Sequence, residues 1–212
     1  MTSAAMVEVF INFMACGGIC MIRRFLNRFS IFEIIIIAFM ATIGVAIKPV
    51  IVPLAHIITG PLYIPGGAVA GGLYMMWVVL GAGLIGKKGV ATLISVVQAI
   101  MVISLGIYGN HGVLSLLTYI LPGIIVDLYL LLFRVKQFSM VSYFIGGILA
   151  NISGTFLVNV IFFRLPFIPL MLTLSAASLS GGLGGLIAYT ISNRLRKNDA
   201  LNSFINRRGY ND

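Results

Sequence analysis

Asn151, Thr155 and Asn159 recur every four residues and so share one face of any helix that carries them. Ser95 and Gln98 fall together in another apolar stretch, and Tyr74 and Trp77 in a third. Amides, hydroxyls and aromatic rings that face one cavity suit a small, flat, mostly neutral ligand, stacked and hydrogen-bonded. The same side chains also serve as ordinary interhelical hydrogen bonds, and spacing alone does not separate the two roles. His56, Tyr108, Asn110, His111 and Arg164 sit near breaks between apolar runs, where they would form the rim of a pocket. Lys48, next to Pro49, either snorkels to an interface or meets an anionic group of a ligand.

Other chemistries fail on their residues. Gly81-Ala82-Gly83-Leu84-Ile85-Gly86-Lys87-Lys88 follows a phosphate-binding loop until its last position, where Lys88 stands in place of the hydroxyl that would reach magnesium. It reads as a tight turn between two helices. Cys16 and Cys20 lie one helical turn apart without His or carboxylate neighbours that would complete a metal site. Asp127 is the only carboxylate deep in an apolar run, so an intramembrane salt bridge with Arg134 or a contact to a partner subunit is expected of it rather than catalysis. No nucleophile with a base, and no pair of carboxylates, recurs on facing segments; the chain is not expected to be an enzyme or to carry a cofactor.

These residues must be positioned by helices in lipid. Of 212 residues, 60% are hydrophobic and 9% charged, against about 25% charged in a soluble domain. The mean hydropathy is +1.10. Apolar runs at 31–47, 63–85, 90–107, 113–133, 140–163 and 167–192 approach the roughly 20 residues that cross hydrocarbon. The expected fold class is an all-α membrane protein of six transmembrane helices, with residues 4–22 as a seventh span or an interfacial helix. The expected division is an extension over 1–29, a six-helix domain over 30–195 and a basic tail over 196–212.

Ser30 and Glu33 form a capping box that starts the first helix, with Phe29 and Ile34 placed as its hydrophobic staple. Pro49 and Pro53 are expected to end that helix near Ile47 and leave a loop of about 15 residues, a length that is often functional. The net charge of +9 does not indicate nucleic acid, because the basic residues cap apolar runs instead of forming a face. Twelve of the 14 Lys and Arg residues fall on one side of the six-helix arrangement, with Lys48 and Arg164 on the other. The positive-inside rule then makes the C-terminus cytoplasmic and turns the connections after the first, third and fifth helices outward.

Small residues mark close helix approaches. Gly67 with Gly71 and Gly181 with Gly185 have the four-residue spacing of helix packing, although Gly66 and Gly67 after Pro65 also suit backbone approach to a ligand. Ala38, Thr42 and Ala46 make a stripe on the first helix that needs a partner, with another helix of the same chain as the default.

The stripe, the Pro-containing stretch before a Gly-rich second helix and the basic cytoplasmic side together resemble the substrate-binding S components of energy-coupling factor (ECF) vitamin transporters. The segments GPLYIPGGAVAGGLYMMWVVLGAGLIGKKGVATLISVVQAIMVISLG and NISGTFLVN are most similar to the thiamine and hydroxymethylpyrimidine branch. The likeness covers about residues 30–195. It implies a protein of the cell membrane that captures a vitamin from outside and passes it to a transmembrane coupling subunit with two cytoplasmic ATPases. It also implies that Ala38, Thr42 and Ala46 meet the coupling subunit; the residues expected from their own grouping to bind the substrate are Asn151, Thr155, Asn159, Gln98, Ser95, Trp77, Tyr74 and His111. Gly66-Gly67, Ser95 and Gln98 stand where acidic residues would hold an aminopyrimidine, so a thiamine precursor and a corrinoid both remain open as ligands. The reading from another class is a non-catalytic structural or assembly subunit of a membrane complex.

Overall fold

The computed structural model describes residues 28–62, 64–106, 115–133 and 138–197. Six α-helices make up the described chain: α1 (Ile31–Thr59), α2 (Gly66–Ile85), α3 (Val90–Ser104), α4 (Ser115–Leu132), α5 (Met140–Val158) and α6 (Phe167–Lys197). A 3-10 turn, Gly60–Leu62, follows α1, and a π turn, Asn159–Phe163, follows α5. Four of the helices are long and apolar enough to cross a membrane, while Val90–Ser104 and Leu116–Leu132 are shorter apolar helices. The fold is the expected all-α membrane bundle. The expected boundaries of α3 run too long: its 15 residues rise about 22 Å, short of a hydrocarbon core of about 30 Å.

Two compact units divide within α1, Met1–Ile36 and Ile37–Asp212. In the first, the capping box is formed: Ser30 N–H donates to Glu33 Oε2 at 2.8 Å and Glu33 N–H to Ser30 Oγ at 3.4 Å. The expected N-terminal extension and the stretch 4–22 lie outside the described residues, as do Cys16 and Cys20.

The expected loop after Ile47 does not exist. α1 runs through Pro49 and Pro53 to Thr59. Each proline removes one helical donor, at about 3 kcal/mol, leaving the carbonyls of Val45 and Pro49 without their usual partners. Unwinding the same stretch in lipid would orphan many backbone groups at several kcal/mol each, so the helix with two defects is the cheaper state.

In the second unit glycines join α2, α5 and α6. A Cβ on Gly72 would strike the Ser180 carbonyl, one on Gly184 the Gly72 carbonyl, and one on Gly147 the Gly181 carbonyl. The second glycine cluster is therefore helix packing, as its spacing predicted. Polar side chains finish the seam by bonding to the backbones of α2 and α6. Asn151 Nδ2 donates to the carbonyls of Ala68 (2.9 Å) and Ala177 (2.8 Å). Ser180 Oγ accepts from Gly72 N–H at 3.0 Å and donates to the Val69 carbonyl.

At the far end of α2, Gly86 takes the left-handed conformation (φ 69°) and returns its N–H to the Ala82 carbonyl at 2.8 Å. The phosphate-loop look-alike is thus a C-cap and a turn. Asp127 has a role within the described residues that its spacing did not suggest. From α4 it caps α3: Oδ1 accepts from Gly89 N–H (3.2 Å), and Oδ2 from Thr92 N–H (2.7 Å) and Thr92 Oγ1 (2.6 Å). A carboxylate is well placed there, where helix amides lack partners and the dipole is positive. Arg134 lies outside the described residues.

Candidate functional site

The C-terminal end of α1 and the N-terminal end of α2 meet without space for side chains, since a Cβ on Gly66 would lie 2.5 Å from the His56 amide nitrogen. This junction, the start of α4, the end of α5 with its π turn, and the start of α6 line a partly open cavity of about 190 Å³. Its lining is mixed. Val52, Met75, Val158 and Phe163 give apolar walls, and Lys48, His56, Tyr74, Tyr119, Thr155, Asn159 and Thr173 bring polar groups.

Lys48 carries the cavity's fixed charge. Its Nζ donates to Tyr119 Oη at 2.6 Å and lies 4.1 Å from the Tyr119 ring centre and 5.2 Å from that of Tyr74. Two rings and a phenol oxygen hold the ammonium, a cation–π arrangement that strengthens as water is excluded. The described carboxylates, Glu33 and Asp127, bond elsewhere, to Ser30 and to the start of α3.

Two lining residues keep unspent polar atoms. Asn159 Oδ1 accepts from Leu165 N–H at 3.3 Å, while its buried Nδ2 has no partner. Thr173 Oγ1 is likewise buried and without a partner, on a residue with 0% exposure. A buried unpaired donor costs about 1–3 kcal/mol, so groups of this kind call for a function. Tyr74 Oη has spent its proton on the Gly67 carbonyl at 3.0 Å, and His56 Nδ1 accepts from Gly66 N–H at 3.4 Å.

Of the sequence-predicted site, the cavity unites Tyr74, Thr155 and Asn159, with His56 from the expected rim and Lys48. Asn151 belongs to the glycine seam, with both its amide donations used. Gln98 does not line the cavity and packs its carboxamide against Gly44. Ser95 packs against Gly123, and neither its hydroxyl nor Trp77 Nε1 has a partner. Trp77 does not join Tyr74 in the lining. Arg164 is exposed and left-handed (φ 45°) where the π turn ends. His111, Tyr108 and Asn110 fall outside the described residues. Sequence reasoning missed Tyr119 and Thr173. Asking which polar residues share the depth of Asn159 on neighbouring helices would have found both.

Ala38, Thr42 and Ala46 all face outward from the bundle. Among the described residues the stripe is therefore largely uncovered, against the default of an internal partner: Thr42 Oγ1 donates to the Ala38 carbonyl of its own helix (2.8 Å) and lies 3.9 Å from Met101 Sδ on α3. The other end of the bundle carries Lys87, Lys88, Arg194, Arg196 and Lys197, and Arg196 Nη2 donates to the Gly83 carbonyl at 2.5 Å.

No curated protein matches the chain. Its fold is similar to a solved structure described as "Crystal structure of an S-component of ECF transporter", with a TM-score of 0.70 and 19% identity over 82% of this chain and 89% of that one. The family model described as "ABC-type cobalt transport system, permease component" matches residues 32–153, more than half of the sequence. By that match, the helical bundle with its partly open cavity is a membrane component of a transport system, and the chain belongs to the ABC-type cobalt transport permease family.

Proposed function

We propose that the chain is the substrate-capture (S) component of an ECF-type ABC importer, which takes a small organic micronutrient into the cavity between α1, α2, α4, α5 and α6. One observation carries this reading: a polar cavity with unspent hydrogen-bonding atoms on Asn159 and Thr173 lies at the bundle end away from the Lys87, Lys88 and Arg194–Lys197 cluster. With the basic end and the C-terminus cytoplasmic, the cavity lies toward the outside.

Release and energy would come from elsewhere in the complex. The outward stripe of Ala38, Thr42 and Ala46 offers a flat face for a transmembrane coupling subunit, which would link the chain to two cytoplasmic ATPases. The structural-subunit reading would use the same stripe but has no use for the unspent atoms of the cavity.

Although the family description names cobalt, a bare divalent ion suits this cavity poorly. No group of three His, Cys, Asp or Glu residues occurs among the described residues, and Lys48 places a like charge at the site. The cavity is partly open, so a corrinoid and a thiamine precursor are both candidates. A thiamine precursor would have to bind without a carboxylate, since none lines the cavity among the described residues.

The test is thermal unfolding of the purified protein with a panel of one-ring vitamins and precursors, a corrinoid and Co²⁺. Binding to the folded state raises stability by mass action, about 2.7 kcal/mol at 100 times Kd. A rise with a one-ring compound or the corrinoid supports the reading; a rise with Co²⁺ alone overturns its ligand, and no rise with any of them overturns capture. Ala38→Phe with Ala46→Phe should abolish uptake in cells while the thermal response to ligand persists.

A further inference from the structure

The end of the bundle away from the cavity gathers basic residues from two distant stretches of sequence. Lys87 and Lys88 stand in the turn after α2, and Arg194, Arg196 and Lys197 in the last turn of α6. One bond joins the two: Arg196 Nη2 donates to the Gly83 carbonyl at 2.5 Å, across 113 residues of chain. The helices beneath it are locked. Tyr143 Oη, on α5, donates to Ser192 Oγ at 2.7 Å, and a Cβ on Gly83 would strike that same phenol. Tyr143 and Ser192 are buried, so the turn of α6 just before Arg196 is fixed against α2 and α5. Gly86 returns its N–H to the Ala82 carbonyl, and Arg196 satisfies the next carbonyl and sets its charge at the negative pole of the helix. A guanidinium has five N–H donors, and this bond uses one. The residue is otherwise exposed, which leaves donors for a group outside the bundle.

We propose that this end of the bundle binds the headgroup of an anionic phospholipid, with the phosphodiester on the Arg196 guanidinium and Lys88, Arg194 and Lys197 around it. Depth selects a lipid. At 31 residues α6 rises about 46 Å, the thickness of a bilayer with both headgroup layers, whereas the 20 residues of α2 rise about 30 Å and match the hydrocarbon core alone. The last turn of α6 and the turn after α2 therefore meet in the headgroup layer of one leaflet. An apolar flank is present too: Leu183 and Ile187 are exposed on the face of α6 that Arg194 continues, a surface for acyl chains. Among the described residues the carboxylate bonded closest to the turn is Asp127, and both its oxygens already accept from Gly89 and Thr92. The positive charge is thus left for an outside partner. A fork of N–H groups matches phosphate oxygens, and a guanidinium already held by Gly83 loses less freedom on binding. A soluble acidic protein would meet the same charge but has no use for the apolar flank. The site is independent of what the cavity binds.

The experiment titrates the full chain, purified in a neutral detergent, with phosphatidylglycerol or with phosphatidylcholine of the same acyl chains, and reads bound lipid by native mass spectrometry and stabilisation by thermal unfolding. Phosphatidylglycerol is expected to bind at least tenfold more tightly. Arg196→Gln should weaken it at least tenfold, and Arg194→Gln or Lys197→Gln, both at exposed positions, about fivefold each. Arg196→Lys, which keeps the charge without the fork, should lose at least threefold. Where Arg196→Gln lowers the midpoint of the lipid-free protein, the double variant Arg194→Gln with Lys197→Gln decides. Equal affinity for the two lipids overturns the proposal, as does a preference that survives in both Arg196→Gln and the double variant, because the lipid then binds elsewhere. Equal losses at Arg194 and Arg196 overturn the assignment of the phosphate to Arg196 and leave only diffuse attraction. Glycerol 1-phosphate or inorganic phosphate binding as tightly as the lipid makes a free phosphate the ligand, and polyglutamate binding more tightly makes an acidic protein the partner; either result overturns the lipid.

Discussion

Asn151 and Asn159 are the same residue on the same face of one continuous helical segment, two turns apart, and they end in opposite conditions. Asn151 is clamped in the α2–α5–α6 seam with both amide donations made to backbone carbonyls. Asn159 has its oxygen held and its nitrogen left over beside a cavity. The surroundings make the difference. Around Asn151 the neighbouring helices present glycines, so backbones close in and both of its amide donations reach carbonyls. Asn159 instead shares a cavity lining with Tyr74, Tyr119, Lys48 and Phe163.

The largest effect should come from forcing the seam open. Gly72→Val pushes a side chain into the Ser180 carbonyl, and unfolding should show a loss of about 4 kcal/mol or more, or no monodisperse protein at all. A stable, ligand-binding Gly72→Val protein would end the contrast between the two regions. Next in size is Asn151→Ala, which removes two hydrogen bonds and leaves a small void; about 1–3 kcal/mol of stability is expected to go, with ligand affinity of the folded fraction changed less than threefold. Asp127→Ala should cost about 1 kcal/mol through the lost cap of α3, again without a change in affinity. Smallest for stability is Asn159→Ala, at or below about 0.5 kcal/mol, because a buried donor without a partner disappears along with one bond to Leu165. Its effect on ligand affinity should be the largest of the four. Parallel denaturation and binding curves would show the two asparagines exchanging rank between the two measurements.

Much of this arrangement was legible in the amino-acid sequence. Ser30 and Glu33 announced the start of α1, the Gly86 turn was separable from a phosphate loop, and the spacing of Gly181 and Gly185 read as packing, because each signal is local. The prolines misled for a physical reason. Pro49 and Pro53 are costly, but their cost competes with unwinding in lipid, which is costlier. The polar candidates divided along a line that periodicity does not contain. Gln98 and Ser95 pack against Gly44 and Gly123, away from the cavity, whereas Asn159 lines it. Tyr119 and Thr173 went unnoticed because Tyr119 pairs with Lys48 of another helix and Thr173 stands alone in its own, and only the folded chain brings them to one cavity.

The bonds from Ser180 into the backbone of α2 also set an order in time. Ser180 stands 108 residues after Gly72 and 111 after Val69, on the last of the described helices. Until α6 has been made and inserted, the first turns of α2 lack these partners, and the cavity lacks the wall that Thr173 supplies. The cavity is therefore complete only once α6 is in place, and a chain halted before Ser180 would lack both the seam and that wall.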